Sequence, residues 1–237
     1  RPIKSALILV AMKEEAEPFI QKHQLQRFES VPWNPLLPIV GYSGKIHDLE
    51  CFLVWAGSDN RYKVNNVATT ASAVSAYASI AALQPDVVIS AGTAGGFSSR
   101  GAQIGDVYVS SKCIYHHRRI PDDIEDEHEL GNFRSPPLGK LAKRAGLKVG
   151  VVSTSDSLDY TMQDLQVMHG EGASVKEMEA AAIAWVCHSL KTPFFALKSI
   201  TDIVDDEERT SQEEFYENLA MASRNLQTKL SLVLSLI

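Results

Sequence analysis

Asp86-Val87-Val88-Ile89-Ser90-Ala91-Gly92-Thr93-Ala94-Gly95-Gly96-Phe97 is the stretch whose reading decides the fold class. Its first half, Asp86–Ala91, is almost continuously apolar, as a strand buried on both faces should be. Its second half carries three glycines within five residues, Gly92 to Gly96. Glycines there predict a sharp turn and a backbone that can come close to a ligand. Such a strand belongs in a parallel sheet covered by helices on both sides, where ligands collect outside the carboxyl ends of the strands. The turn is not GxGxxG and no P-loop lysine follows it, so neither of those phosphate-binding motifs is present.

The same alternation extends in both directions. Further strands are predicted at Ala6–Ala11, Leu49–Ala56, Asp106–Ser110, Lys148–Thr154 and Phe194–Ser199, with Gly41–Lys45 and Leu49–Ala56 as a hairpin. Helices are predicted at Val64–Leu83, Pro137–Ala145, Glu177–Ser189 and Gln212–Ile237. The last carries an apolar stripe of Phe215, Leu219, Leu226, Leu230, Leu232 and Val233. The expected fold is α/β: a single domain over residues 1–237, with a mixed, largely parallel central sheet flanked by helices. Arg118–Pro137 breaks the pattern. It holds the acidic run Asp122–Glu129 and three prolines, and reads as an exposed loop, either a solvated insertion or a wall of a ligand site.

Composition limits the function. The 237 residues are 45% hydrophobic, enough to close a sizeable core, and the net charge is 23 − 29 = −6. An acidic chain is a poor partner for nucleic acid. No apolar run approaches the ~18 residues that a membrane span needs. Cys51, Cys113 and Cys187 are far apart and lack CxxC spacing, so they read as buried reduced thiols of a reducing compartment, the cytoplasm. Arg1-Pro2-Ile3-Lys4 runs directly into a strand, without the pattern of a signal or transit peptide. The histidines show neither HExxH nor a Cys/His cluster, so no metal and no cofactor are expected.

Acids fall where ligands should sit. Met12-Lys13-Glu14-Glu15 follows the first strand, and one Glu could project over the strand end as a general base; the plain alternative is a helix-start acid that complements the dipole. Glu179 stands at the start of an Ala-rich helix on a largely apolar face, where a carboxylate is costly unless it accepts hydrogen bonds. Ribose hydroxyls would supply them; a dipole role is again the alternative. Asp202 lies between apolar residues after Phe194–Ser199, a candidate acid or a simple cap, with Lys198 four positions earlier.

Six segments carry a resemblance in order along the chain: Val10–Ala16, Ser90–Gly96, Ile104–Val107, Ser153–Ser157, Val175–Ala182 and Ile200–Asp205. Together they resemble the methylthioadenosine nucleosidases of the nucleoside phosphorylase superfamily, and Tyr115–Pro121 and Lys198 are most similar to the plant branch. The resemblance implies hydrolysis of the N-glycosidic bond of 5′-methylthioadenosine, with S-adenosylhomocysteine as a second possible substrate, in methionine salvage. It implies that Glu15 activates water, Asp202 protonates adenine N7, and Glu179 with the Met178 backbone holds the ribose hydroxyls. Thr93 and Lys198 would help hold the water, Leu158 would pack near the purine, and Gly92 would let the backbone reach the substrate. It implies a homodimer, with Val64–Leu83 and Arg118–Pro137 as candidate interface parts. The chain departs from the family at the expanded link Gly57–Asn65, at His117 and in the acidic loop. Two other readings are a purine nucleoside phosphorylase and a non-catalytic nucleoside-binding or storage protein. Against the first, Glu14-Glu15 stands where phosphorylases carry an arginine; against the second, all three acids are present.

Overall fold

In the computed structural model, residues 2–120, 131–206 and 210–237 are described. Strand β1 (Ser5–Val10) shows why the sheet is two-sided: Ala6, Ile8 and Val10 enter one core cluster, and Leu7 and Leu9 the other. Period-two alternation of apolar residues on both faces requires helices on both faces. Helix α1 (Lys13–His23) follows, then β2 (Gln26–Arg27) and the hairpin β3 (Val40–Ile46) and β4 (Leu49–Trp55). Helix α2 (Ala68–Leu83), β5 (Val87–Gly96) and β6 (Val107–Tyr115) come next. The remainder is β7 (Phe133–Arg134), α3 (Gly139–Ala145), β8 (Lys148–Thr154), α4 (Met162–Gly170), β9 (Ala173–Glu177), α5 (Ala180–Ser189), β10 (Phe194–Ile203) and α6 (Ser211–Leu234).

Among the described residues the strands form one ten-stranded mixed sheet. β5 pairs in parallel with β1 and β10, β1 with β4, and β8 with both β6 and β9. Antiparallel pairing enters at the β2–β3–β4 edge, at β6–β7, and at β5–β9 and β6–β10. These pairings close a ring, β5–β9–β8–β6–β10 and back to β5, from which β1, β4, β3 and β2 extend as an open sheet. α2 and α5 cover one side, and α1, α3 and α6 the other.

Several expectations need correction. The stretch Gly92–Gly96 is not a turn: β5 continues straight through it, paired with β10 and β9. None of its glycines has a positive φ. They are required for close approach. A Cβ on Gly96 would come within 2.6 Å of the Ala102 Cβ, and one on Gly95 within 2.7 Å of a Val204 methyl. Likewise β10 runs past Ser199 to Ile203, so Asp202 lies inside the strand. Helix α2 starts at Ala68 and not at Val64, since Ser58 and Asn65 form an isolated bridge that holds the preceding residues out of the helix. Leu232 of the expected α6 stripe is 37% exposed. The loop expected over Arg118–Pro137 contains β7 on the edge of β6, and the acidic run Asp122–Glu129 lies outside the described residues. Strand β9 and helix α4 had no clear sequence signal.

The three cysteines are buried and unpaired. Among the described residues no helix is long and apolar enough to cross a membrane, and no three His, Cys, Asp or Glu side chains could jointly hold a metal ion.

Candidate active site

The carboxyl ends of β1, β5, β9 and β10 surround a cavity of about 300 Å³ with mostly apolar walls. Glu15, Thr93, Leu158, Met178, Glu179 and Asp202 all line it. Lys198 and Gly92 lie behind Glu15, on a second, water-sized space that Glu15 and Glu179 also border. Lys176, Glu177, Ser211 and Phe215 line the main cavity as well, although the sequence had assigned them no part. Phe215 sits in the first turns of α6, whose apolar stripe pointed only to packing.

Glu15 is the third residue of α1 and is buried. Its Oε1 accepts from the Thr93 N–H at 2.7 Å and the Thr93 hydroxyl at 2.8 Å, and its Oε2 from the Met12 N–H at 3.1 Å. Burial nevertheless dominates these bonds and raises its carboxyl above the ordinary range. Glu14, one residue earlier, faces outward and accepts from the Asn65 side-chain amide at 3.0 Å. Asn65 also accepts from the Lys13 N–H and the Trp55 indole, both at 3.1 Å, so the expanded link is fastened to the start of α1 through Glu14. The helix turn thus separates the two neighbouring acids into one that points inward and one that anchors a loop.

Glu179 caps α5 in sequence but not with its side chain. Its Oε1 accepts from the N–H of Ala68 at 3.0 Å, while Asp156 Oδ1 accepts from that of Thr69 at 2.8 Å. Val67, the N-cap of α2, offers no side-chain acceptor, so these two carboxylates satisfy two of the open N–H groups of the helix. Ala68 adopts φ 74°, a left-handed conformation costly for a residue with a Cβ and one that persists only where surrounding contacts impose it. Burial and then the nearby Glu177 push the Glu179 carboxyl up to about 7.

Glu177 and Lys198 form a buried ion pair at 2.9 Å. Register places Lys198 opposite Gly92, where a Cβ would lie 3.1 Å from Glu15 Oε1 and 3.3 Å from Lys198 Nζ; glycine opens the space in which those groups meet. Burial works against charge on both partners of the pair. Lys198 and hydrogen bonds from Thr154 and Ala180 outweigh it and hold Glu177 below the usual carboxylate range. Glu177, Glu179 and Glu15 outweigh it at Lys198, which stays above the usual amine range.

Asp202 sits where β10 slips register between Ile200 and Asp202, opposite Gly95. Bulges of this kind re-aim side chains beside functional sites. Thr201 Oγ1 donates to Asp202 Oδ1 at 2.7 Å. Burial raises the Asp202 carboxyl, against hydrogen bonds from Thr201 and Ser211. Lys176 donates to the carbonyls of Ser157 at 3.0 Å and Leu158 at 2.7 Å, which fixes the segment that presents Leu158 to the cavity.

Residues 5–235 match the phosphorylase superfamily. The chain belongs to that superfamily. A curated relative, the 5′-methylthioadenosine/S-adenosylhomocysteine nucleosidase of Arabidopsis thaliana, is 40% identical over 237 residues, covering all of this chain and 93% of the relative. The solved apo structure of the Arabidopsis thaliana 5′-methylthioadenosine nucleosidase superposes with a TM-score of 0.96 at 38% identity, over all of this chain and 96% of that one. A methylthioadenosine/S-adenosylhomocysteine nucleosidase of Colwellia psychrerythraea, solved with adenine, superposes with a TM-score of 0.80 at 25% identity, over 99% and 96% of the two chains. This phosphorylase-superfamily chain therefore shares its whole fold, ring and extension included, with nucleosidases.

Proposed function

We propose that this chain hydrolyses 5′-methylthioadenosine to adenine and 5-methylthioribose. The observation that carries the reading is the charge around the cavity. Acids of raised basicity, Glu15 and Glu179, stand on one side and Asp202 on another. The cations beside them are already committed: Lys198 to Glu177, and Lys176 to two backbone carbonyls. A phosphorylase needs free cationic donors for phosphate, whereas a hydrolase needs a base for water.

The geometry supports the following chemistry. As the glycosidic bond opens, positive charge builds on the ribose and negative charge on the departing adenine. Asp202, whose carboxyl burial raises, donates a proton at N7. Glu15, oriented by Thr93 and Met12, takes the proton of the attacking water on the opposite face of the sugar, and Lys198 helps to hold that water. Glu179 and the Met178 backbone hold the ribose hydroxyls, and Leu158 packs near the purine. The proton that Asp202 gives and the one that Glu15 takes balance over a turnover. No cofactor takes part in these steps. The chain works as a cytoplasmic homodimer in methionine salvage.

Glu15→Gln tests the assignment. It keeps an acceptor for Thr93 but removes the base, so turnover should fall by about 10²–10⁴-fold. Nucleoside binding, followed by calorimetry, should persist. Near-normal turnover in this variant would remove Glu15 as the base.

A further inference from the structure

Glu177 performs none of the tasks above, yet it makes more bonds than any other acid of the site. It is buried, pairs with Lys198 at 2.9 Å, and accepts the hydroxyl of Thr154. It also accepts the N–H of Glu179 at 3.0 Å and that of Ala180 at 2.9 and 3.1 Å. Three carboxylates approach the Lys198 ammonium from three elements: Glu177 from the end of β9, Glu179 from the cap of α5, and Glu15 from α1. Among the described residues its ion pair is with Glu177. The choice has consequences. An ammonium seated on Glu15 would hold that carboxylate as a weakly basic anion, and one seated on Glu179 would compete with ribose hydroxyls.

We propose that Glu177 is a positioning residue for the reaction: its carboxylate fixes the Lys198 ammonium on the β9 side of the acidic cluster, so that Glu15 and Glu179 face the nucleoside without an ion-pair partner. This rests on the nucleosidase reading of the site. Thr154 and the two N–H donors hold the Glu177 carboxylate, and therefore the ammonium, in place. Other titratable groups that feel Glu177 are Cys113 and Tyr115 on β6, His116 just beyond it, and Lys176 on β9. Burial raises the Cys113 thiol, raises the Tyr115 phenol to about 12 and lowers His116 to about 4, so these three are neutral near pH 7. Burial also lowers Lys176, which is tied to the Ser157 and Leu158 carbonyls.

The test is kcat and KM for adenine release from methylthioadenosine across pH, with the full chain and its Glu177→Gln and Glu177→Asp variants. A wild-type chain that releases no adenine contradicts the nucleosidase reading itself, whatever Glu177 does. Given release, Glu177→Gln frees Lys198 for Glu15 and Glu179. Their carboxyls then lose protons at lower pH, so the acid limb of kcat/KM should move down by about one pH unit. Weaker basicity at Glu15 should lower kcat about tenfold or more. Glu177→Asp keeps the charge with a shorter reach, so it should leave the limb in place and lower kcat about threefold or more. A Glu177→Gln limb at the wild-type position would overturn the proposal and leave Glu177 a purely structural role, even if Tm dropped. Should Glu177→Gln not fold, Glu177→Asp decides alone: wild-type kcat, or a shifted limb, overturns the proposal.

Discussion

At the residue scale the site is a set of buried carboxylates whose differences come from their immediate partners. Glu177 has a cation and four donor contacts, and it is held ionised. Glu179 has one N–H, from Ala68, and burial with Glu177 nearby raises it to about 7. An acid raised on folding stabilises the folded state below its ordinary value of 4.5 and loses that contribution as pH rises through about 7. Glu179→Gln keeps the acceptor for Ala68 and removes the charge. Its unfolding free energy should therefore exceed the wild-type value at pH 8 by on the order of 1–3 kcal/mol, with a higher Tm, and the gain should fade by about pH 5. Thermal melts at the two pH values check this; a Tm gain equal at both would contradict it. Activity should fall at both, since Glu179 is proposed to hold the ribose hydroxyls. The sequence put Glu15, Glu179 and Asp202 at strand ends or a helix start, where pattern alone left a capping role open and the family resemblance singled them out; all three line the cavity. The sequence hid Glu177 and Lys176, because their roles depend on which strands β9 adjoins, and β9 pairs not only with β8 but with β5, far away in the chain.

At the element scale, β5 shows where local reading goes wrong. Its glycines signal a turn by composition, but they serve packing: a Cβ at Gly95 would lie 2.7 Å from a Val204 methyl and 2.8 Å from Asp202 Oδ2. Gly95→Ala should therefore displace Asp202, cost about 1–3 kcal/mol in stability and lower kcat well beyond what the lost stability explains. Gly139→Ala, in the first turn of α3 where a Cβ meets nothing within 4 Å, should instead stabilise the chain by about 0.5–1 kcal/mol with kcat unchanged. Denaturant melts and steady-state rates on the two variants separate these cases. Equal effects would mean that the Gly95 contact is slack. Apart from β2, β7, β9 and α4, the element order of strands and helices was readable from apolar periodicity. The ring closure was not, because β5–β9 rests on only the pairs Gly95–Lys176 and Gly96–Val175. No periodicity announces a partner that a strand meets over two residues.

At the scale of the whole molecule, one face remains apolar and uncovered. Val74 and Tyr77 of α2 are 42% and 61% exposed, and Trp185 of α5, which packs beside α2, is 53% exposed. Apolar groups gathered on adjoining helices suit an interface, and the face begins beside the α2 N-terminus that Glu179 caps. Light scattering should give twice the 26.0 kDa of one chain; a single-chain mass would contradict the homodimer. On the proposed reading, an acidic site on a phosphorylase-superfamily fold activates water and not phosphate. Adenine release from methylthioadenosine, measured with and without inorganic phosphate, tests it most directly. Release should be equal in both conditions, with 5-methylthioribose as the other product. Release that requires phosphate, or no release in either condition, would contradict it.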